Sequence, residues 1–349
     1  MTILSTPRLG SPGQAPPRGS DFARLSQLIK SAGLMERRRG YYVWKIVSLA
    51  GLATVGGVAL ALLGNSWWQL VVAGLFAVIF TQVGFLGHDA GHRQAFSSRR
   101  ANDLLGLVCA TTGIGLSYGW WVDKHVRHHV HPNDEHRDPD VGVGAFIFTT
   151  GQAGAVGRKG RLLYRYQAWT FFPLLLLEGI NLHVSSIRHL LRPGTPRRGR
   201  ETAMLAAHFA GYLTAVFVVM SPVHAVAFIA VNQGLFGLYL GCSFAPNHKG
   251  MPALSAADHA DFLRRQVLTS RNVRRHWVTD AALGGLNYQI EHHLFPSMPR
   301  VNLRRAQPIV RQFCASIQVR YLETGPITSY RQALRHLDTI GREARATSP

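Results

Sequence analysis

WWQLVVAGLFAVIFTQVGFLGHDAGH, residues 67–92, carries no charge until Asp89 and then ends on a pair of histidines. Its uncharged part, 67–87, is long enough to cross a bilayer as a helix. A second uncharged run, 46–63, precedes it across the turn Gly64-Asn65-Ser66. The two predict a helical hairpin that returns the chain to the side from which it set out. Tyr41, Tyr42 and Trp44 flank the first run as an interfacial belt, and Lys45 can reach the headgroups along its stem. Arg37-Arg38-Arg39, just before it, predicts a cytoplasmic N-terminus. In a helix His88 and His92 lie one turn apart on one face, with Asp89 beside them as an acceptor for an imidazole N–H.

Working outward, the same plan recurs. Residues 202–220 and 223–242 are two further uncharged runs joined by Ser221-Pro222, and neither outer turn contains Lys or Arg. Residues 104–122 are uncharged as well, but parity decides against a crossing: it would put the next histidine cluster on the opposite membrane face from His88. A buried or re-entrant path is expected instead, and Gly106, Gly113, Gly115 and Gly119 suit it. Residues 168–187 contain Glu178, Asn181 and His183, which points to an interfacial or protein-buried segment.

The fold class expected is therefore all-α integral membrane: four transmembrane helices in two hairpins, with a cytosolic helical cap carrying the histidines. Residues 1–40 read as a disordered, then basic, N-terminal segment. Within it, 1–20 is a Pro- and Gly-rich tail and 21–34 a short helix capped by Asp21. Residues 41–300 form the membrane domain and 301–349 a soluble helical tail. No signal peptide is visible.

Composition agrees. The chain is 47% hydrophobic and only 16% charged, with a net charge of +20 whose basic residues flank apolar runs. That combination suits an anionic membrane surface, and it excludes a nucleic-acid reader, which has no need of four apolar spans. Cys109, Cys242 and Cys314 are too widely spaced for a pair motif, so neither a disulfide scaffold nor a thiolate zinc site is expected.

Histidine is the outlier at 17 residues. Beyond His88 and His92, His125, His128 and His129 stand at i, i+3 and i+4. Gln289, His292 and His293 repeat that spacing, so each set shares a helix face. His248, at the exit of the last span, could complete the set. Seven clustered imidazoles exceed what one zinc ion takes, although imidazole also suits iron, copper and nickel. Asp89, Asn133, Asp138, Asp140 and Glu291 are candidates to hold ligand rings in place. His131 and His136 read as solvated, and His208 and His224 as packed or hydrogen-bonded within the spans. His183 is open between ligand, tunnel residue and satisfied polar group.

Three clusters in this order among hydrophobic hairpins resemble the membrane fatty acid desaturase family. Its boxes are matched by His-x3-His at His88 and His92, His-x2-His-His at His125, His128 and His129, and Gln-x2-His-His at Gln289, His292 and His293. The resemblance covers roughly 41–300. It implies a non-haem di-iron centre that uses dioxygen and two electrons to desaturate a long-chain acyl substrate, carried as acyl-CoA or acyl-lipid. It implies a metal-ligand and catalytic role for the seven box histidines, with His248 as a further ligand, while Gln289 is a candidate metal residue open between direct ligand, water-mediated ligand and supporting donor. Gln289, in place of a first histidine, resembles the branch of front-end desaturases and many bacterial relatives. Such enzymes often carry a fused haem domain marked by His-Pro-Gly-Gly; that signature is not in either tail, so a separate electron donor such as ferredoxin or a reductase is expected. Richness in Ala, Gly and Arg suggests a bacterial plasma membrane, with both termini cytoplasmic.

An unactivated methylene offers no hydrogen-bonding handle, so position selectivity has to come from a bent apolar tunnel. Trp120, Trp121 and apolar residues near 171–177 are expected to line it. The rivals are an acyl-chain hydroxylase on the same scaffold, a metal-ion transporter, and a scaffold with structural zinc. A transporter would place its ligands at mid-membrane, whereas here the clusters sit at the ends of the spans.

Overall fold

The computed structural model describes residues 20–254 and 261–346. The tail expected over 1–20 lies outside them except for Ser20. Helices build the fold; among the described residues the only sheet is a parallel pairing of β1 (Asn272–Val273) with β2 (Glu323–Thr324).

Helix α1 (Asp21–Ser31) is capped by Ser20, not by Asp21 as expected. Ser20 has the extended backbone of a cap, and its Oγ accepts the Ala23 N–H at 3.2 Å. Asp21 is already helical and instead pairs with Arg24 at 3.3 Å and Arg264 at 3.0 Å.

Among the described residues four helices are each long and apolar enough to cross a membrane: α2 (Arg39–Leu63), α3 (Gln69–Gly91), α10 (Arg198–Val219) and α11 (Pro222–His248). They match the four expected runs, with α2 and α10 reaching several residues further at the N-terminal end and α3 and α11 at the C-terminal end. α2 leaves Val47, Val55 and Leu62 exposed while burying Leu49 and Leu60, the pattern of a helix whose outer face meets lipid. Its C-terminal end is held from the next helix. The buried Gln69 amide donates to Leu60 O at 2.7 Å and to Gly64 O at 2.8 Å across the turn. The Asn65 side chain accepts the Ser221 N–H at 2.9 Å, so the α2–α3 turn is tied to the α10–α11 turn.

The uncharged run 104–122 is not one straight helix. α4 (Arg99–Gly106) continues into a π-helical stretch, Leu107–Gly113, and the chain then bends by 114° into α5 (Tyr118–Val130). The bend needs Gly115, whose φ is +70°; a Cβ there would lie 2.6 Å from the His208 ring. After α6 (Thr150–Ala155) and α7 (Arg158–Tyr164), α8 (Gln167–Leu175) and α9 (Glu178–Leu191) form a second bent pair, at 73°.

α3 packs most extensively on α11, and α9 crosses α11 closely at Gly237. The remaining helices are α12 (Phe262–Leu268), α13 (Trp277–Ala282), α14 (Gln289–Leu294), α15 (Arg300–Ser316) and α16 (Pro326–Ala346). One hydrophobic core joins Leu25 and Ile29 of α1, Leu263 of α12, Ile290 of α14, and Leu303 and Phe313 of α15. α14, which carries the last histidine pair, is thus held from several sides. α16 packs against α6, α7, α8 and α11.

Candidate metal centre

Each histidine is delivered by a helix end. α3 stops at His92, whose N–H bonds to His88 O at 3.1 Å; Arg93 then turns left-handed with φ 58°. His88 and His92 therefore occupy the last turn and the cap of α3. α5 is started by Ser117, whose Oγ accepts the Trp120 N–H at 3.2 Å. The buried carboxylate of Glu201 accepts the Ser117 hydroxyl at 2.7 Å and the Gly119 N–H at 3.2 Å. A negative charge at that helix start is favourable, and it sets the rotation of α5 that presents His125, His128 and His129. His248 is the last residue of α11. Gln289, His292 and His293 lie on α14, every residue of which is buried.

These positions, up to 205 residues apart in sequence from His88 to His293, converge. His88, His92, His125 and His292 offer ring nitrogens all within 4.8 Å of one another; so do His128, His248 and His293. His129 sits between the groups, its ring stacked 4.2 Å from that of His293 and edge-on to that of His92 at 4.6 Å. All seven box histidines and His248 are brought together.

The fit to metal is visible atom by atom. His128 Nδ1 is 2.9 Å from Asp138 Oδ2, His248 Nδ1 is 3.1 Å from Thr269 O, and His293 Nδ1 is 2.9 Å from Gln266 Oε1. Each partner is an acceptor, so each Nδ1 carries the proton and each Nε2 keeps its lone pair. In the other group, His88 Nε2 and His292 Nε2 are buried without a partner among the described residues, as is His293 Nε2. Burial and neighbouring imidazoles hold His92, His292 and His293 well below the ordinary histidine value, which leaves them neutral and ready to bind a cation. Buried lone pairs aimed at shared points, with no thiolate among them, suit one or two transition-metal ions.

Gln289 reaches the second group, but its Nε2 donates toward His248 Nε2 at 2.8 Å, so its amide oxygen is turned away. Of the expected supporting residues, Asp138 and Asp140 both approach His128, the latter at 3.5 Å. Asp89 is 3.6 Å from His88 Nδ1, too long for a hydrogen bond, and its charge is spent on Arg300, whose Nε donates to Oδ2 at 2.7 Å. Asn133 does not touch a histidine ring; its amide donates to the His248 and Thr269 carbonyls. Glu291 also departs from expectation. It faces away from the metal groups and accepts from Asn272 and Tyr321, and burial pushes its carboxyl up to about 7. His183 resolves as a satisfied polar group, bonded to Gly115 O at 2.8 Å and Gln233 at 3.0 Å. His208 binds Thr112 O and His224 pairs with Ser221.

Three participants gave no sequence signal. Gln266 and Thr269 lie in a polar stretch without periodicity, and their contacts come from tertiary packing alone. Arg271 is fully buried and donates to Gln332 at 2.8 Å, to Ser329 O, and to the Pro246 and Lys249 carbonyls. It caps the end of α11 and so places His248. Only the Arg300–Asp89 pair had a hint in the sequence, since Arg300 directly follows the third cluster.

A cavity of about 280 Å³ opens against the groups, with His88, His125, His128 and His248 in its wall. Of the expected tunnel residues, Trp120, Trp121, Phe171 and Leu175 line it, whereas Phe172, Leu176 and Leu177 are exposed.

Fold and site together define a helical membrane protein with an imidazole-rich site, able to hold metal, beside an apolar cavity. The sequence model of the fatty acid desaturase family matches residues 65–325. The chain belongs to that family, an oxidoreductase class, and is a multi-pass membrane protein. It is 28% identical over 335 residues to an acyl-lipid (9-3)-desaturase of Physcomitrium patens, covering 93% of this chain and 63% of the moss protein. It is 28% identical to a Delta(6)-fatty-acid desaturase of Caenorhabditis elegans, covering 93% and 76%, and 30% identical to fatty acid desaturase 3 of Bos taurus, covering 92% and 73%. These relatives are eukaryotic, so they lend no support to the bacterial source expected from composition.

Proposed function

We propose that this desaturase introduces a cis double bond into a long-chain acyl substrate at a di-iron centre. His88, His92, His125 and His292 would hold one iron ion, and His128, His248 and His293 the other, with His129 between them. Overall, –CH2–CH2– plus O2, two electrons and two protons gives –CH=CH– plus two waters. The iron pair supplies the oxidising power that an unactivated C–H bond demands and that side-chain acid–base chemistry lacks. The chain's own residues do the rest. Asp138, Thr269 and Gln266 fix three rings by their Nδ1 protons. The cavity walls exclude water and orient the acyl chain against the histidines. His248 Nε2 would go to the metal, so the Gln289 amide that meets it here would give up that contact and become free to serve as a ligand itself or through a water. The observation that carries this reading is the pair of adjacent buried histidine groups in the wall of an apolar cavity.

The same reading places α2–α3 and α10–α11 as two hairpins, with the histidine-bearing ends and both termini on the cytoplasmic face. The arginines before α2 and between α9 and α10 support it. Residues 41–300 would be the membrane desaturase domain, with the flanking segments docked onto its cap. Electrons would come from a separate donor such as ferredoxin or a reductase. The substrate would arrive as acyl-CoA or acyl-lipid.

Lipid profiling with double-bond localisation, after expression in a host lacking the activity, tests the proposal. New alkene that needs oxygen, with two iron ions per chain, is the expected result. An alcohol product would establish an acyl-chain hydroxylase instead; one zinc per chain and no oxygen-dependent product would remove the oxidative reading altogether. Changing His292 to Ala should lower activity at least about a thousandfold, as loss of an essential group does, while membrane insertion is kept.

A further inference from the structure

The cavity is apolar except at one end. Lys124, Asp140, Lys249 and Glu178 gather there, in the same wall as His125, His128 and His248. Lys124 Nζ pairs with Asp140 Oδ1. Lys249 Nζ donates to the Asp140 backbone carbonyl at 2.7 Å and lies 3.6 Å from the centre of the Phe148 ring. Asp140 in turn is 3.5 Å from the His128 ring. Ile114 and Leu116 also line the cavity. Ile114 and Leu116 pack in one core with Phe80 and Phe236, deep in the spans. Phe80 precedes His88 by eight residues of α3, which is about 12 Å of helix. The cavity thus runs from the lysines, past the histidines, into the membrane-spanning core.

A channel that only had to hold methylenes has no use for two half-buried ammonium groups in its wall, where even partial loss of water is costly. An ammonium carries three N–H donors, and among the described residues each lysine commits one of them to a hydrogen bond. The carboxylates of Asp140 and Asp138 both act on the two lysines, so no positive charge is left over for a phosphate. The spare donors call for a neutral acceptor, and on an acyl chain that acceptor is the carbonyl oxygen.

We propose that Lys249 and Lys124 bind the acyl carbonyl of the substrate, fixing its polar end beside the metal groups while the methyl end runs toward Phe80. The inference rests on the desaturase reading and deepens it. It makes the ester, thioester or amide carbonyl the reference point from which the double bond is placed, close to the carboxyl end. Lys249 and Lys124 are then positioning residues for the reaction.

The test is binding to the full-length protein in nanodiscs, without turnover. The probes are a phosphatidylcholine with ester-linked oleoyl chains, its ether-linked analogue, and oleoyl-coenzyme A. The wild type should bind the ester about ten- to a hundredfold more tightly than the ether, the worth of a hydrogen bond from a charged donor. Comparing ester with thioester then identifies the carrier. Lys249→Met, which keeps length and loses the donors, should bring ester and ether within about twofold. It should also spread the double bond over neighbouring positions at unchanged iron content. Lys249→Arg keeps donors and should retain the preference, which guards against a variant that simply misfolds. Equal wild-type affinity for ester and ether, or a Lys249→Met variant with undiminished preference and a single product position, would overturn the proposal. A wild type that discriminates between the lipids yet makes no alkene would sink the desaturase reading and leave the carbonyl clamp standing.

Discussion

Asp138 shows how one side chain sets the state of a metal ligand. It accepts from His128 Nδ1 at 2.9 Å and from the Asn133 N–H at 2.7 Å, so its carboxylate is fixed and the ring cannot rotate. Asp138→Asn keeps the shape but offers an amide that competes for the tautomer. Metal affinity should fall about ten- to a hundredfold, the usual cost of losing such a partner. Titration with Fe(II) followed by equilibrium dialysis would measure it, and unchanged affinity would show that His128 does not depend on Asp138. The pairing was partly legible, because Asp138 follows the second cluster closely in sequence. The equivalent partners of His248 and His293 were not: Thr269 and Gln266 are brought to those rings only by the packing of α12 beside α14.

Among the elements, the contact of α9 with α11 tolerates nothing larger than glycine. A Cβ on Gly237 would lie 2.5 Å from Gly179 N and 2.6 Å from Leu175 O, both backbone atoms that cannot swing aside. Gly237→Ala should therefore force α8 and α9 outward and cost about 1–3 kcal/mol, as overpacking does. Thermal unfolding in detergent, compared with Gly211→Ala where no atom lies within 4 Å, gives the measurement. Equal melting temperatures would mean that α9 can shift freely. Helix existence was readable in the uncharged runs, because a span needs only length and the absence of charge. That 104–122 departs from a straight crossing was legible in parity and its glycines, but the angles of 114° and 73° were not, since both depend on which neighbour fills the space left by a glycine or a broken turn.

For the whole molecule, the decisive arrangement is that all histidine-bearing ends meet at one level. If the proposed topology holds, single cysteines at Arg198 and Arg342 should be shielded from a membrane-impermeant thiol reagent in sealed, right-side-out vesicles. A cysteine at Asn65, in the tied outer turns, should react. The background is a variant with Cys109, Cys242 and Cys314 changed to Ala. Labelling of Arg198→Cys from outside would break the two-hairpin scheme and leave the metal centre divided between two membrane faces.

The sequence by itself determined that the chain is helical, that four stretches suit a bilayer, and that three histidine sets sit at helix ends. Those properties reside in local composition and in the periodicity of the helix, which each segment carries alone. Tertiary structure decided which rings share a point in space, that Asp89 serves Arg300 while Glu291 turns away from the rings, and that His183 is an ordinary buried hydrogen-bonding group. It also decided that a lysine pair stands at the polar end of the cavity. These outcomes depend on distances between residues remote in sequence. A side chain's partner is set by what the fold brings to it, and no local pattern encodes that.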